Sequence, residues 1–200
     1  MPTARRSGST EQPVRPRLRR DRIKVASVPA AHPYVRHLAP LHEDRDVPRV
    51  IRLTDPDPRN PSRVTLSKWW PPVMLEPSWM RRHQDEFDVF HLHFGFDGHA
   101  PDQLADLVET LRHVGKPLVH TVHDLRSPRQ AERAEHDARL DVLIPAADAL
   151  ITLTPGAAAE IEERWGRQAL VLPHPHVVSL TTMERMHRRR QTWPQPRQGE

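Results

Sequence analysis

The apolar positions of this chain fall into short runs that alternate with helical patterns. Six β-rich runs predict strands, at residues 23–28, 49–53, 87–93, 117–125, 149–153 and 169–172. The run at 87–93 is apolar at both alternating sets of positions for most of its length, as a central parallel strand is. Proline, glycine or acidic residues bound several of the runs, which is typical of strand ends. The pattern therefore predicts several short, buried strands.

Helical periodicity fills the spaces between the later strands. The clearest helix has apolar residues on one face, namely Leu104, Leu107, Val108, Leu111 and Val114. Pro101 suits its first turn and Gly115 its end. A second helix is predicted over residues 129–147, and a third from an N-cap at Thr154 to Gly166. Strand, helix and strand in this order favour right-handed crossovers.

This order of elements predicts an α/β fold, with a Rossmann-like, doubly wound parallel sheet in one domain over residues 22–178. Residues 1–21 lack periodicity and are expected to form a disordered basic arm. Residues 179–200 lose the periodicity again, so we expect a disordered tail or a truncated connection. The proline-rich stretch 69–80 is either a packed connection or an apolar wall for an acceptor.

Charge and motifs narrow the classes of function. The 200 residues carry a formal net charge of +4, but arginines cluster at the two ends. That distribution favours solvated tails over a nucleic-acid surface, with weak contact to an anionic membrane surface as the alternative. Neither a G-x-G-x-x-G nor a G-x-x-x-x-G-K motif is present, which argues against dinucleotide-binding and P-loop enzymes.

Cysteine and long apolar segments are both absent from the sequence. Without cysteine, disulfides and thiolate metal sites are excluded. No apolar run approaches the roughly 20 residues of a spanning helix, and no apolar signal core follows the basic N-terminus. We therefore expect a cytoplasmic protein, with peripheral attachment at the inner face of the membrane as a variant of that expectation.

Histidines and acidic residues gather where the predicted strands end. In an open parallel sheet, the ligand crevice lies beyond the carboxyl ends of the strands. The candidate site residues at these ends are His32, Tyr34, His93, Gly95, Phe96, Asp97, His123, Asp124, Arg126, Thr154 and His174. A single histidine is more often structural than functional, but repeated placement at one edge favours a site.

Three interpretations of this edge remain open. In the first, Gly95 lets a ligand approach the backbone, His123 donates hydrogen bonds to a sugar hydroxyl or to developing charge, and Asp124 or Asp97 orients or accepts. In the second, the His91-x-His93 pair joins His123 and an acid around a metal ion. In the third, the histidines only hydrogen-bond loops, and the domain is an interaction module.

Four segments together resemble the N-terminal domain of retaining GT-B glycosyltransferases in their order and spacing. They are residues 88–93, 117–125, 147–154 and 171–175. The similarity covers residues 22–178. The chain departs from the family at residues 30–34, which replace the glycine-rich turn that many members carry after the first strand.

The resemblance implies two Rossmann-like domains that face a cleft, one holding the acceptor and the other a nucleotide-sugar. His123 matches the catalytic histidine that reaches the donor sugar in this family, and Gly95 with Phe96 would line the acceptor side. The implied activity is hexosyl transfer to a polysaccharide or lipid-linked acceptor. The resemblance also implies no metal, and no cofactor besides the nucleotide-sugar co-substrate.

The donor-binding half of such an enzyme has no counterpart in the sequence. The family's paired-glutamate motif and the basic residues that hold the donor are absent. We therefore expect the chain to supply the acceptor-side half and to need a separate donor-binding chain, or to be a fragment that is incomplete alone. A non-catalytic sugar- or partner-binding domain is the alternative.

Overall fold

Six strands form one sheet in which every neighbouring pair is parallel. The computed structural model describes residues 22–39, 47–56, 72–126, 133–175 and 178–192. The strands are β1 (Arg22–Val28), β2 (Arg49–Arg52), β3 (Val89–Leu92), β4 (Leu118–Val122), β5 (Ala149–Thr152) and β6 (Leu170–Val171). The predicted α/β class and parallel sheet are confirmed, and the arrangement is consistent with a Rossmann-like fold. The predicted arm at residues 1–21 lies outside the described residues.

The strand order is β2-β1-β3-β4-β5-β6. After β1, the chain forms β2 on one side of it. The chain then crosses to the opposite side of β1 and forms β3 there. The order therefore reverses between β1 and β3, which is where open α/β sheets bind ligands beyond the carboxyl ends of their strands. The sheet topology thus marks one edge as the place to look for a site.

Six α-helices and two short 3-10 helices, Val73–Leu75 and Gln84–Glu86, accompany the sheet in the described part of the chain. The α-helices are α1 (Pro33–Arg36), α2 (Pro77–His83), α3 (Pro101–His113), α4 (Arg133–Ala146), α5 (Pro155–Trp165) and α6 (Leu180–Thr192). The Thr154 side chain accepts a hydrogen bond from the Ala157 N–H and caps α5. At the other end of that helix, Gly166 has a φ of 62°, a conformation that glycine adopts readily. The predicted start and end of α5 are confirmed.

One face of the sheet carries the hydrophobic core. Side-chain alternation and strand register place there Ala26, Val28, Phe90, Leu92, Leu118, Val122 and Leu150. All of them belong to a single core cluster with buried side chains from α2, α3, α4 and α5. We call this the helix-covered face. Burial of this apolar surface is the main force that holds the helices against the sheet.

The opposite face of the sheet is more polar and less buried. It carries Ser27, Arg52, His91 and Thr121 among aliphatic residues such as Val50, which is 43% exposed. None of its aliphatic side chains in the described strands belongs to the core cluster. We call it the second face, and it extends to the edge of the sheet at which the strands have their carboxyl ends.

The described part of the proline-rich stretch is a packed connection. Met74, Leu75, Trp79 and Met80 are buried in the core cluster, so they hold α2 against the helix-covered face. They are not exposed to form a wall for an acceptor. Residues 69–71, with the other two tryptophans of the stretch, lie outside the described residues.

The sequence predicts a disordered tail or a truncated connection at residues 179–200, but residues 180–192 form a helix, α6, so the first of these alternatives does not hold for them. Leu180, Met183 and Met186 recur at three-residue intervals, and their weak periodicity was masked by the surrounding arginines. These three side chains are exposed. No helix in the described ranges is both long enough and apolar enough to cross a membrane.

Candidate functional site

The candidate site lies where β1 and β3 end side by side. The His93 N–H donates to the Val28 carbonyl over 2.9 Å, and the Phe94 N–H approaches the same carbonyl at 3.4 Å. These bonds extend the pairing of β1 and β3 past the last ladder residue and fix the start of the following loop. The loop after β3 is therefore held against the loop after β1 at the point of strand-order reversal.

Six side chains from four loops meet at this edge and form the edge cluster. They are His32, Tyr34, His93, Phe94, His123 and His174. Tyr34 is at the centre, with ring centroids 4.3 Å from His123, 4.9 Å from His174 and 5.5 Å from His93. The structure thus brings together five of the residues that the sequence predicted, from the loops after β1, β3, β4 and β6.

Phe94 bridges two sides of the cluster. Its ring lies 4.9 Å from His32 and 5.3 Å from His123, in edge-to-face geometry in both cases. Edge-to-face contacts of this kind stabilise ring pairs beyond simple burial. Phe94 and Tyr34 therefore restrict the orientation of the His123 ring from two directions.

His123 combines restricted orientation with an unused ring nitrogen. Its Nε2 is buried and has no hydrogen-bond partner among the described residues. Burial, with smaller contributions from the neighbouring His174 and His32, lowers the pKa of His123 to about 4. The ring is therefore neutral at pH 7, so it can donate or accept a hydrogen bond without carrying charge.

His93 is the most deeply buried histidine of the cluster, with 1% of its surface exposed. Neither of its ring nitrogens has a partner in the described part of the chain, although a neutral ring carries one N–H. Burial, with smaller effects from His91 and His123, moves the pKa of His93 far below the usual range. A polar group in this position is costly unless a further partner satisfies it.

His91 sits beneath His93 on the second face of the sheet. The two ring centroids are 3.8 Å apart, and His91 Nε2 is 2.8 Å from the Thr121 hydroxyl. Burial lowers the pKa of His91 to about 4, with smaller contributions from His120, Arg52 and His123. His32, in turn, accepts the Tyr34 N–H at Nδ1, which places the proton of its neutral ring on Nε2.

The other predicted site residues occupy different environments. Gly95 is buried with a φ of 96°, which an L side chain rarely adopts, and this conformation turns the loop away from β3. Phe96 then enters the core cluster, on the helix-covered face and away from the edge cluster. The exposed residues are Asp97, Asp124 and Arg126, and the Thr154 hydroxyl accepts the N-cap hydrogen bond of α5.

Two buried histidines beneath the edge have a different role, and we call them the scaffold histidines. His120 Nδ1 donates to the Leu92 carbonyl and His136 Nε2 to the Asp124 carbonyl, each over 3.0 Å. Phe96 packs against both rings, at 5.8 Å from His120 and 6.2 Å from His136. These bonds fix the carboxyl end of β3 and the loop after β4, the two segments that present His93 and His123.

Sequence reasoning gave less weight to Phe94, His91 and Arg52 than the structure does. Phe94 lies in the predicted strand-end loop, but an aromatic residue beside glycine gives no signal of its own. The pattern Arg-Val-Ile-Arg-Leu at residues 49–53 does carry a signal, because it places an arginine at the carboxyl end of a strand. That position is where a parallel sheet puts functional groups.

The metal interpretation has no support in the described ranges. No group of three or more histidine or carboxylate side chains there is arranged to hold a metal ion. The rings of His91 and His93 lie over one another at an interplanar angle of 32° instead of directing nitrogens to a common point.

Comparisons of the chain with models of known protein families, with curated proteins and with solved structures found no match. Geometry and chemistry therefore carry the interpretation of the edge cluster. A neutral, aromatic-lined histidine site with unused hydrogen-bonding capacity suits an uncharged, hydroxylated ligand better than a cation.

Proposed function

We propose that this chain is the acceptor-side domain of a GT-B type glycosyltransferase that transfers a hexose from a nucleotide-sugar. In this proposal His123 contacts the donor sugar across the cleft. The observation that carries the proposal is the environment of His123: the ring is at the carboxyl end of a central strand, is neutral, and has a buried Nε2 without a described partner. The motif order that resembles the GT-B family supports the same assignment.

The aromatic residues of the edge cluster suit a sugar ligand. Sugar rings present apolar C–H faces and polar hydroxyl edges, so protein sites for them combine apolar walls with a few placed hydrogen-bonding groups. The half-buried Phe94 would supply part of the wall, the buried Tyr34 would hold the histidine rings in place behind it, and the neutral imidazoles would supply the hydrogen bonds. Gly95, which has a φ of 96°, follows Phe94 of the edge cluster directly and carries no side chain of its own.

His123 would act on the reaction through a hydrogen bond. In transfer from a nucleotide-sugar, the bond between the anomeric carbon and the diphosphate breaks and the nucleoside diphosphate leaves, while the acceptor hydroxyl oxygen bonds to that carbon and its proton passes to the departing phosphate oxygen. A neutral imidazole fixed beside the sugar can stabilise the sugar hydroxyls that become polarised in the transition state. Because it is neutral, it adds no positive charge beside the one that develops on the sugar. The nucleotide would be held by a second domain or chain, and the acceptor would be a polysaccharide or a lipid-linked glycan on the cytoplasmic side.

Mutation of His123 tests the proposal in the assembled enzyme, meaning this chain together with its donor-binding part. Removal of one preorganised hydrogen bond at the reaction centre should lower kcat by about 10²- to 10³-fold in a His123→Ala variant. His113→Ala changes an exposed histidine on α3 and serves as the matched control. Turnover by His123→Ala that equals that of the control would contradict the assigned role.

A sugar-binding module without catalysis is the second candidate. The observation in its favour is that no carboxylate among the described residues is hydrogen-bonded to a histidine of the edge cluster, so a base or nucleophile pair is not assembled there. Titration of the chain with nucleotide-sugars and with free oligosaccharides, alone and in the presence of any donor-binding part that assembles with it, separates the two candidates. Binding of the nucleotide-sugars favours the enzyme, and binding of oligosaccharides alone favours the module.

A further inference from the structure

The C-terminal helix α6 exposes large apolar side chains. Of the eight large hydrophobic side chains that are exposed in the described residues, four lie within residues 178–186. Three of these four belong to α6, where 57% of Leu180, 36% of Met183 and 63% of Met186 are exposed. An exposed apolar patch with polar residues around it indicates a surface that binds a partner.

The apolar side chains of α6 lie on one side of the helix, and three of its arginines lie on the other. Successive residues of an α-helix are about 100° apart around its axis, so the three apolar side chains fall within an arc of about 120°. By the same geometry, Arg185, Arg188 and Arg189 fall within an arc of about 100° on the opposite side. All three arginines are exposed. The helix is therefore amphipathic, with an apolar arc and a basic arc.

The charge of α6 favours an anionic partner. The helix contains four arginines and one acid, Glu184, which give it a formal net charge of +3. Glu184 lies 3.6 Å from Arg188, but both side chains are largely exposed, so water and salt screen this pair. The positive charge of the basic arc therefore complements a negatively charged surface.

The spacing of the apolar residues distinguishes between kinds of partner. A helix that packs against another helix, or in a protein groove, uses apolar residues at positions i, i+3 and i+7. In α6, Leu180 and Met183 are followed at the next such positions by His187 and Arg190, so the apolar arc does not continue as a seam. The net charge of α6 also repels a second copy of the helix. A nucleic acid would pair with the arginines but would leave the apolar arc in water.

We propose that α6 binds the surface of an anionic phospholipid bilayer. Amphipathic helices with a charged polar face and low net hydrophobicity lie in the plane of such a surface, with the apolar side chains at the acyl boundary. A fluid bilayer imposes no fixed spacing on these side chains, and methionine is flexible enough to pack among lipids. The long arginine side chains reach the headgroup phosphates. The inference does not rest on glycosyl transfer, because it concerns membrane binding alone.

Co-sedimentation of the full chain with vesicles of phosphatidylcholine and phosphatidylglycerol tests the role of the charge. We expect much tighter binding to these vesicles than to phosphatidylcholine alone. Arg185→Gln/Arg189→Gln should bind about 25-fold more weakly, since each arginine near an anionic surface contributes about fivefold. Arg82→Gln/Arg112→Gln removes the same charge from exposed positions on α2 and α3 and should bind like wild type. Equal binding by the two double variants, or no binding by wild type, would overturn the proposal.

A labelled cysteine distinguishes insertion of the apolar arc from adsorption by charge alone. The chain has no cysteine, so Met186→Cys and Thr181→Cys each create a single labelling site. Position 186 lies on the apolar arc, and position 181 lies on the side of the arginines. On the anionic vesicles, a polarity-sensitive fluorophore should shift its emission to the blue at 186 but not at 181. A shift at neither position, or an equal shift at both, would overturn the proposal.

Two further measurements identify another partner if the bilayer is the wrong one. An RNA duplex should bind the wild-type chain and Arg185→Gln/Arg189→Gln more weakly than the anionic vesicles bind wild type. A blue shift at position 186 that grows with protein concentration in the absence of vesicles would show that a second copy covers the apolar arc. That result, or tighter binding of RNA than of vesicles, would overturn the proposal.

Discussion

The scaffold histidines His120 and His136 differ from His93 and His123 of the edge cluster in their bonds to the backbone, although His120 Nε2 and His136 Nδ1 are also buried without a partner among the described residues. The scaffold histidines His120 and His136 each donate a ring N–H to a backbone carbonyl over 3.0 Å. In the edge cluster, His93 has no partner at either nitrogen and His123 has none at Nε2 among the described residues. The scaffold histidines hold the loops in place, and those loops carry His93 and His123 of the edge cluster.

The pKa values of the histidines do not distinguish the scaffold histidines from those of the edge cluster. Burial is the main cause that lowers the pKa of His120 and of His123, and it brings both to about 4. A depressed pKa therefore reports only that a neutral ring is buried, whether its role is structural or functional. A ring N–H donated to a backbone carbonyl of another segment distinguishes His120 and His136 from His93 and His123, whereas His174 and His32 of the edge cluster bond only backbone groups one or two residues away.

Acidification should have the largest effect, because it acts at once on the scaffold histidine His120 and on His91, whose ring packs against His93 of the edge cluster. His91 and His120 have folded-state pKa values of about 4, below the value of 6.5 expected in the unfolded chain. The unfolded state therefore binds more protons as pH falls below 6.5, and the free energy of unfolding should fall by about 1.4 kcal/mol per pH unit for each such histidine. Above pH 6.5 this dependence should vanish.

Urea unfolding at pH 7.5, 6.5, 5.5 and 5.0 measures this slope before most carboxylates titrate. Replacement of the exposed His113 by glutamine should leave the slope unchanged. Stability that is constant from pH 6.5 to 5.0 would show that the buried histidines are not held neutral by the fold.

Replacement of a scaffold histidine should have the next largest effect. His120→Phe keeps an aromatic ring in the core but removes the N–H, so the Leu92 carbonyl at the end of β3 loses this hydrogen bond. A buried carbonyl left unsatisfied costs about 1 to 3 kcal/mol. Urea unfolding at pH 7.5 measures the loss, and a variant as stable as wild type would remove the distinction between the two groups.

Replacement of His93 in the edge cluster by phenylalanine should have the smallest effect on the free energy of unfolding, and unlike the scaffold replacement it should not lower it substantially. His93→Phe removes two ring nitrogens that have no described partner and leaves no group newly unsatisfied, so stability should stay within about 1 kcal/mol of wild type or rise. Ligand binding at the edge should weaken in the same protein. A loss of stability as large as that in His120→Phe would show that His93 is also structural.

The fold could largely be predicted from the sequence, because it is encoded locally. Thr154 and Gly166 mark the ends of α5 through a side-chain cap and a left-handed backbone, and each acts within a few residues. The position of β2 beside β1 was not predictable in the same way, since it depends on contacts between distant segments. The strand-order reversal that defines the crevice therefore emerged only from the structure.

The candidate site could be predicted in part. Because parallel strands end at a common edge, the sequence placed His32, His93, His123 and His174 together. It did not separate Phe94 from Phe96, because the turn at Gly95 decides which of the two rings enters the core. Nor could it show which histidines lack partners, since that depends on carbonyl positions set by the tertiary fold.

The ring ¹⁵N spectrum of the histidines, recorded while nucleotide-sugars and oligosaccharides are added, tests the central claim most directly. If the edge cluster is the ligand site, signals of His32, His93, His123 and His174 should shift with a single saturable affinity, while those of His120 and His136 should stay in place. Signals that do not move with any of these ligands, or that move equally in both groups, would contradict the assignment of the carboxyl edge as the site.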